Sequence, residues 1–142
     1  MRRFRKVLQL SPSDWYILGQ AWFLFLFVEL GLHILPFKSL LKVHRADRLK
    51  KRQPSSQTQA FSVPRLAWLV NIAGRYSFIK ATCLKQALVL SWLLERRGFS
   101  TLLRIGVSRH AGALKAHAWL EQDGRIILGL HVHEHFEPLF ET

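Results

Sequence analysis

Residues 15–35 form an almost unbroken apolar run, and no other stretch restricts the fold as much. Ser11-Pro12-Ser13-Asp14 precedes it and Pro36 follows it. Ser11 or Ser13 can cap a helix whose first turn takes Pro12 or Asp14, and Pro36 ends or kinks that helix. About 20 apolar residues suffice to cross a bilayer core, so a transmembrane helix is one reading. Against it, Gln20, Glu29 and His33 lie inside the run, and an acidic residue within a span is costly in lipid. Basic residues flank both ends, so charge gives no orientation. The basic start, MRRFRK, also fits a signal peptide, but Asp14 interrupts that pattern and no small-x-small cleavage site follows. The expectation is a helix that is buried in the protein or lies on a membrane surface.

Residues 37–51 read as a second, strongly basic helix. Phe37, Leu40, Leu41 and His44 recur at helical spacing, while Lys38, Lys42, Arg45 and Arg48 populate the other face. That face is either solvated surface or a docking face for an acidic partner or lipid headgroups. Across the 142 residues, 21 Lys and Arg stand against 9 Asp and Glu, a formal charge of +12. Such an excess favours an anionic partner without choosing one. No nucleic-acid-binding motif accompanies it, so nucleic acid is not expected. Cys83 is the single cysteine. It excludes an intramolecular disulfide and a multi-cysteine zinc site, and makes a cytoplasmic location the simpler expectation.

The polar segment 53–59 (QPSSQTQ) reads as a linker. The chain therefore divides into N-terminal helices over 1–52 that pack on the rest, the linker, and a core over 60–142. A chain of this length suits one domain with a substantial core, and no internal repeat is visible. Beyond the linker, Pro64 opens a helix to about Tyr76 with Leu66, Leu69, Val70 and Ala73 inward. A second helix runs from about Thr82 to Arg97, with Thr82 as N-cap and Gly98 as the stop. A strand over 101–107 and a loop over 108–114 follow. The segments 116–121 and 125–128 then flank Asp123-Gly124, a signal for a hairpin with a type I′ turn. This order is α+β with an antiparallel sheet.

Cys83 falls in the first turn of its helix, where free N–H groups and the macrodipole favour a thiolate nucleophile. A lone helical cysteine is commonly just a small buried apolar residue. His117 gives the cysteine a candidate base, on a strand whose alternation puts His117, Trp119 and Glu121 on one face. Trp119 reads as core packing that also has the option of lining the thiol site.

Thr82-Cys-Leu-Lys-Gln-Ala-Leu88, Leu93-Leu-Glu-Arg-Arg-Gly-Phe99, Leu103-Arg-Ile-Gly-Val107 and Ala116-His-Ala-Trp-Leu-Glu121 before Asp123-Gly124 together resemble the transglutaminase-like cysteine peptidases of lasso-peptide biosynthesis. Leu10-Ser-Pro-Ser-Asp14, Leu35-Pro-Phe-Lys38 and Phe136-Glu-Pro-Leu139 extend the resemblance over nearly the whole chain. It implies a papain- or transglutaminase-like fold, with a catalytic helix packed on a small antiparallel sheet behind an N-terminal helical segment. It further implies removal of the leader from a ribosomally made precursor peptide. Cys83 would form the acyl-enzyme. His117 would activate the thiol and protonate the leaving amine, and water would complete the hydrolysis. The expected partners are the precursor's leader region, a small leader-binding protein, an ATP-dependent macrolactam cyclase and a membrane surface contacted by the N-terminal helix. The length suits the stand-alone form without a fused leader-recognition domain. No cofactor or metal is expected.

One departure from the family concerns the third catalytic residue, an aspartate about a dozen residues after the histidine. An unbroken hairpin pairs Gln122 with Arg125 and His117 with Leu130, where no carboxylate stands. Asp123, His131, His133 and Glu134 are the candidates. Asp123 is the assigned one, although Asp before Gly also serves turns. Glu134 reaches His117 only if the second strand is bulged or its register shifts. His131, His133 and His135 alternate, which admits a metal site or a merely polar strand. A Cys–His dyad without an orienting acid is one alternative; a catalytically impaired transglutaminase-like scaffold or membrane-surface protein is the other.

Overall fold

The computed structural model describes residues 9–36, 38–39, 42, 62–129 and 137–141. Among the described residues, three helices precede a four-stranded antiparallel sheet: α1 (Pro12–Ile34), α2 (Val63–Arg75), α3 (Cys83–Glu95), β1 (Leu102–His110), β2 (Ala113–Gln122), β3 (Arg125–Leu128) and β4 (Glu137–Glu141), with strand order β3-β2-β1-β4. This is the expected α+β arrangement. The expected linker and most of the second basic helix lie outside the described residues; Lys38, Ser39 and Lys42 have helical backbone.

Ser11 starts α1 through a capping box. Its hydroxyl accepts from the Asp14 N–H (3.2 Å), and the Asp14 carboxylate accepts from the Ser11 N–H (3.0 Å). Leu35 ends the helix in an extended conformation before Pro36. Ile17, Ala21, Leu24, Phe25 and Val28 recur at helical spacing and are buried against α2 and α3.

Two polar residues of the apolar run, Gln20 and Glu29, are anchors, and the third, His33, bonds back to its own helix. Arg97 donates to Gln20 Oε1 (3.3 Å), Lys85 of α3 forms an ion pair with Glu29, and the His33 ring lies 2.9 Å from the Glu29 carbonyl. Asp14 receives Arg65 of α2 through two bonds, 2.7 and 3.3 Å. That guanidinium holds the Asp14 carboxyl below the usual carboxylate range, against the opposing effect of burial. Helix α1 is long and apolar enough to cross a membrane, yet these bonds tie it to the protein.

Helix α3 is buried on every side from Ala87 to Glu95, which is why its sequence is apolar all round. Helices α1 and α2 cover one side, and β1 and β2 the other. Ser91, Glu95 and Thr101 stitch α3 to the start of β1. The two hydroxyls lie 2.8 Å apart, and each donates to Glu95 Oε1 at 3.2 Å. Leu66, Leu69, Val70 and Ala73 form the inner face of α2, as the pattern predicts.

Two features of the sheet depart from the sequence reading. The loop expected over 108–114 shrinks to Ala111-Gly112. Both residues have positive φ, so a primed turn lets β1 and β2 pair to their ends. The second hairpin does turn at Asp123 (φ 50°) and Gly124 (φ 76°), with Gln122 opposite Arg125. Beyond that pair the ladder is bulged between Leu120 and Glu121. Leu120 faces Leu128, where an unbroken ladder would place Ile127. The described ladder ends at Leu120 opposite Leu128, one residue out of the simple register because of the extra residue on β3; the expected His117–Leu130 pairing involves Leu130, which lies outside the described residues.

Candidate active site

Cys83 is the first residue of α3, and Thr82 is its N-cap in an extended conformation. The Gln86 N–H makes the first bond of the helix, to the Thr82 carbonyl (3.0 Å). The amides of Cys83, Leu84 and Lys85 thus have no acceptor within the helix and are directed at its mouth. Cys83 is half-buried and reduced.

His117 sits on β2 opposite Gly106 of β1. It shares a face with Trp119 and Glu121, and the rings of His117 and Trp119 stack with centroids 6.5 Å apart and planes 20° apart. Trp119 is buried, and its Nε1 donates to Glu121 Oε1 (2.8 Å). Glu121 in turn pairs with Arg104 Nε (3.2 Å). The indole under the imidazole is therefore itself fixed by a charged pair.

Both residues line one cavity of about 410 Å³. Helix α2 supplies Ala67, Trp68 and Asn71; α3 supplies Cys83 and Gln86; the sheet side supplies His117, Ala118, Ile127, Leu128 and Gly129. Among these described lining residues, none is Asp, Glu, Lys or Arg. The Arg65 guanidinium held by Asp14 lies 4.5 Å from the Trp68 ring centroid, a cation–π contact that ties this wall to α1. Gln86 donates weakly to the Ala81 carbonyl (3.4 Å) and lies close over Gly74 of α2.

Gly129 follows β3 with φ +91°. A Cβ there would stand 2.9 Å from Trp119 Cβ and 3.2 Å from His117 Nε2, so the bare backbone closes over the imidazole.

Asp123, assigned from sequence as the third catalytic residue, is not brought to this cavity. It is exposed in the hairpin turn, six residues from His117 along an extended strand. That distance is about 20 Å at 3.3 Å per residue, far beyond the reach of an aspartate. His131, His133, Glu134 and His135 lie outside the described residues, and among the described residues no group of three His, Cys, Asp or Glu is placed to hold a metal.

The sequence reading missed Trp68, Asn71, Gln86 and Gly129. Gln86 was accessible in principle, since i and i+3 share a helix face and so place it beside Cys83. Asn71 is the polar residue next to the inner stripe of α2.

A family profile described as the Transglutaminase-like superfamily matches residues 29–141. Neither the curated proteins nor the solved structures give a significant match.

Proposed function

The chain belongs to the transglutaminase-like superfamily, which includes cysteine peptidases, and on that premise we propose that it is a cysteine peptidase that removes the leader from a lasso precursor peptide. One observation carries the reading: Cys83, at a helix N-terminus, and His117 line the same cavity.

In the proposed reaction His117 takes the thiol proton as Cys83 Sγ bonds to the scissile carbonyl carbon. The Cys83 N–H, free of helical bonding, donates to the developing oxyanion. The C–N bond then breaks as His117 returns the proton to the departing amine, the new N-terminus of the core. Water, deprotonated by His117, displaces the thiol and frees the leader as a carboxylate. Trp119 keeps the imidazole plane fixed, and Asp123 serves the turn. The chemistry needs no cofactor. The uncharged described lining suits a neutral, largely apolar peptide segment around the scissile bond. A leader-binding protein presents the substrate in the cytoplasm, and an ATP-dependent cyclase takes the core.

Intact-mass analysis tests this. The precursor encoded beside the gene is mixed with its leader-binding protein and either wild type or Cys83→Ala. Loss of the leader mass with wild type alone is expected. Cleavage by both, or by neither with the partner shown bound, overturns the reading. The second outcome favours an impaired scaffold, a reading that the distance of Asp123 from the cavity supports.

A further inference from the structure

We propose that the outer face of α1, together with the loop that leads into Cys83, is a docking surface for an anionic lipid bilayer, on which the protein lies without spanning it. The proposal is independent of the peptidase reading.

The inner face of α1 is buried in the core, but its outer face is not polar. Trp15, Tyr16, Trp22, Phe23, Leu30 and Ile34 lie along it, each at least 43% exposed. From Trp15 to Ile34 the stripe runs about 28 Å at 1.5 Å per residue. Soluble monomers rarely expose so long an apolar patch. The stripe is extended by the 76–82 loop, where Phe78 is 98% exposed and meets Trp22 edge-on with centroids 5.9 Å apart. Tyr76 is exposed beside it.

Charge selects the occupant. The two carboxylates of α1, Asp14 and Glu29, are both engaged by cations of α2 and α3. The outward stripe itself is uncharged. Cations flank it along the chain: Arg75 and Lys80 are exposed at either end of the Phe78 turn, and Lys38 and Lys42 are exposed just beyond the helix. In sequence, Arg2, Arg3, Arg5 and Lys6 precede the helix, and Arg45 and Arg48 follow it. Apolar aromatics flanked in sequence by cations, on a chain of charge +12, fit the boundary between acyl chains and anionic headgroups. A second copy of the chain would carry the same positive charge and be repelled. A full crossing would strip Glu29 and Asp14 of their partners on α3 and α2, and Gln20 of Arg97 in the turn after α3.

Co-sedimentation of the full chain with vesicles tests the proposal. Binding is expected to phosphatidylcholine vesicles containing phosphatidylglycerol, weak binding to phosphatidylcholine alone, and release by salt. Phe78→Ser and Trp22→Ser should each weaken partitioning by about tenfold or more, since each removes a large exposed apolar side chain that binding would bury in the bilayer. Leu114→Ser, at an exposed leucine in the β1–β2 hairpin, should leave binding unchanged, with circular dichroism confirming the fold of all three. Equal binding to both vesicle types, or wild-type binding by both aromatic variants, overturns the proposal. So does absence of binding with concentration-dependent dimerisation, which would assign the face to a second copy. Retention on the membrane after alkaline extraction also overturns it, in favour of a span.

Discussion

Replacing Gly129 by alanine tests the geometry over His117 directly. Two costs follow from the structure. At φ +91° a side chain meets its own backbone, at about 1–2 kcal/mol. The new methyl also falls 2.9 Å from Trp119 Cβ and 3.3 Å from the Ala118 carbonyl. Neither atom can rotate away, so the backbone must move, and overpacking of this kind costs about 1–3 kcal/mol. The sum is about 2–5 kcal/mol, a large part of the roughly 5–15 kcal/mol that holds a domain together. Gly112 supplies the control. Its φ is +79°, but nothing lies within 4 Å of its Cβ position, so Gly112→Ala bears only the first cost. Urea unfolding followed by tryptophan fluorescence should therefore rank wild type, Gly112→Ala and Gly129→Ala in falling order of midpoint. The last shift should be about 1–2 M for a typical urea slope. Leader cleavage should fall only with Gly129→Ala, because the displaced atoms include His117 Nε2. If the two variants unfold together and cleave equally, the close approach over the imidazole is wrong.

Three further outcomes are expected. Asp14 titrates below its ordinary value of 3.8 in the folded protein; its contribution is complete above that value and is lost as pH falls through the lower, folded one. Asp14→Asn should thus show a flatter decline of the urea midpoint between pH 5 and about pH 2 than wild type, and parallel curves would count against the Arg65 pairing. Thr101→Val removes a hydroxyl from the buried Ser91–Glu95–Thr101 cluster and should cost about 1–3 kcal/mol in unfolding; a neutral result would mean that the cluster is not closed. Asp123→Asn preserves the turn preference and should leave kcat/KM for leader cleavage within about twofold. A drop of a hundredfold or more, the scale on which losing proton-transfer help is felt, would restore Asp123 as the third catalytic residue.

What could be read from the sequence was local. Ser11 before Pro12 and Asp14 specifies a capping box because all its partners lie within one turn. Asp123-Gly124 specifies its turn through two positive φ values. Cys83 at the head of a helix and His117 on a strand face are likewise consequences of short-range pattern. Gln20, Glu29 and His33 argued against a lipid span. Nothing nearby in sequence pointed to Arg97 and Lys85, because those partners arrive only when α1 packs against α3. The bulge at Leu120 was hidden for the same reason. Register past a turn depends on what both strands pack against, and there Gly129 has to fit under Trp119 and His117. The cavity walls, Trp68 and Asn71 from one helix and Ile127 from a strand, have no common sequence signature at all.

The family profile begins at residue 29, in the last third of α1. Ile17, Ala21, Leu24, Phe25 and Val28, the residues that α1 buries, all come before that point, as do Asp14 and Gln20. The stretch recognised by likeness is therefore not the unit that folds. A fragment cut at residue 29 would keep Cys83, His117 and the sheet but open one wall of the core, exposing the flanks of α2 and α3 against which α1 packs. It would also lose the Arg97 and Arg65 tethers. Descent and cooperativity draw different boundaries in this chain, and the helix that carries Cys83 depends on the part that the profile leaves out.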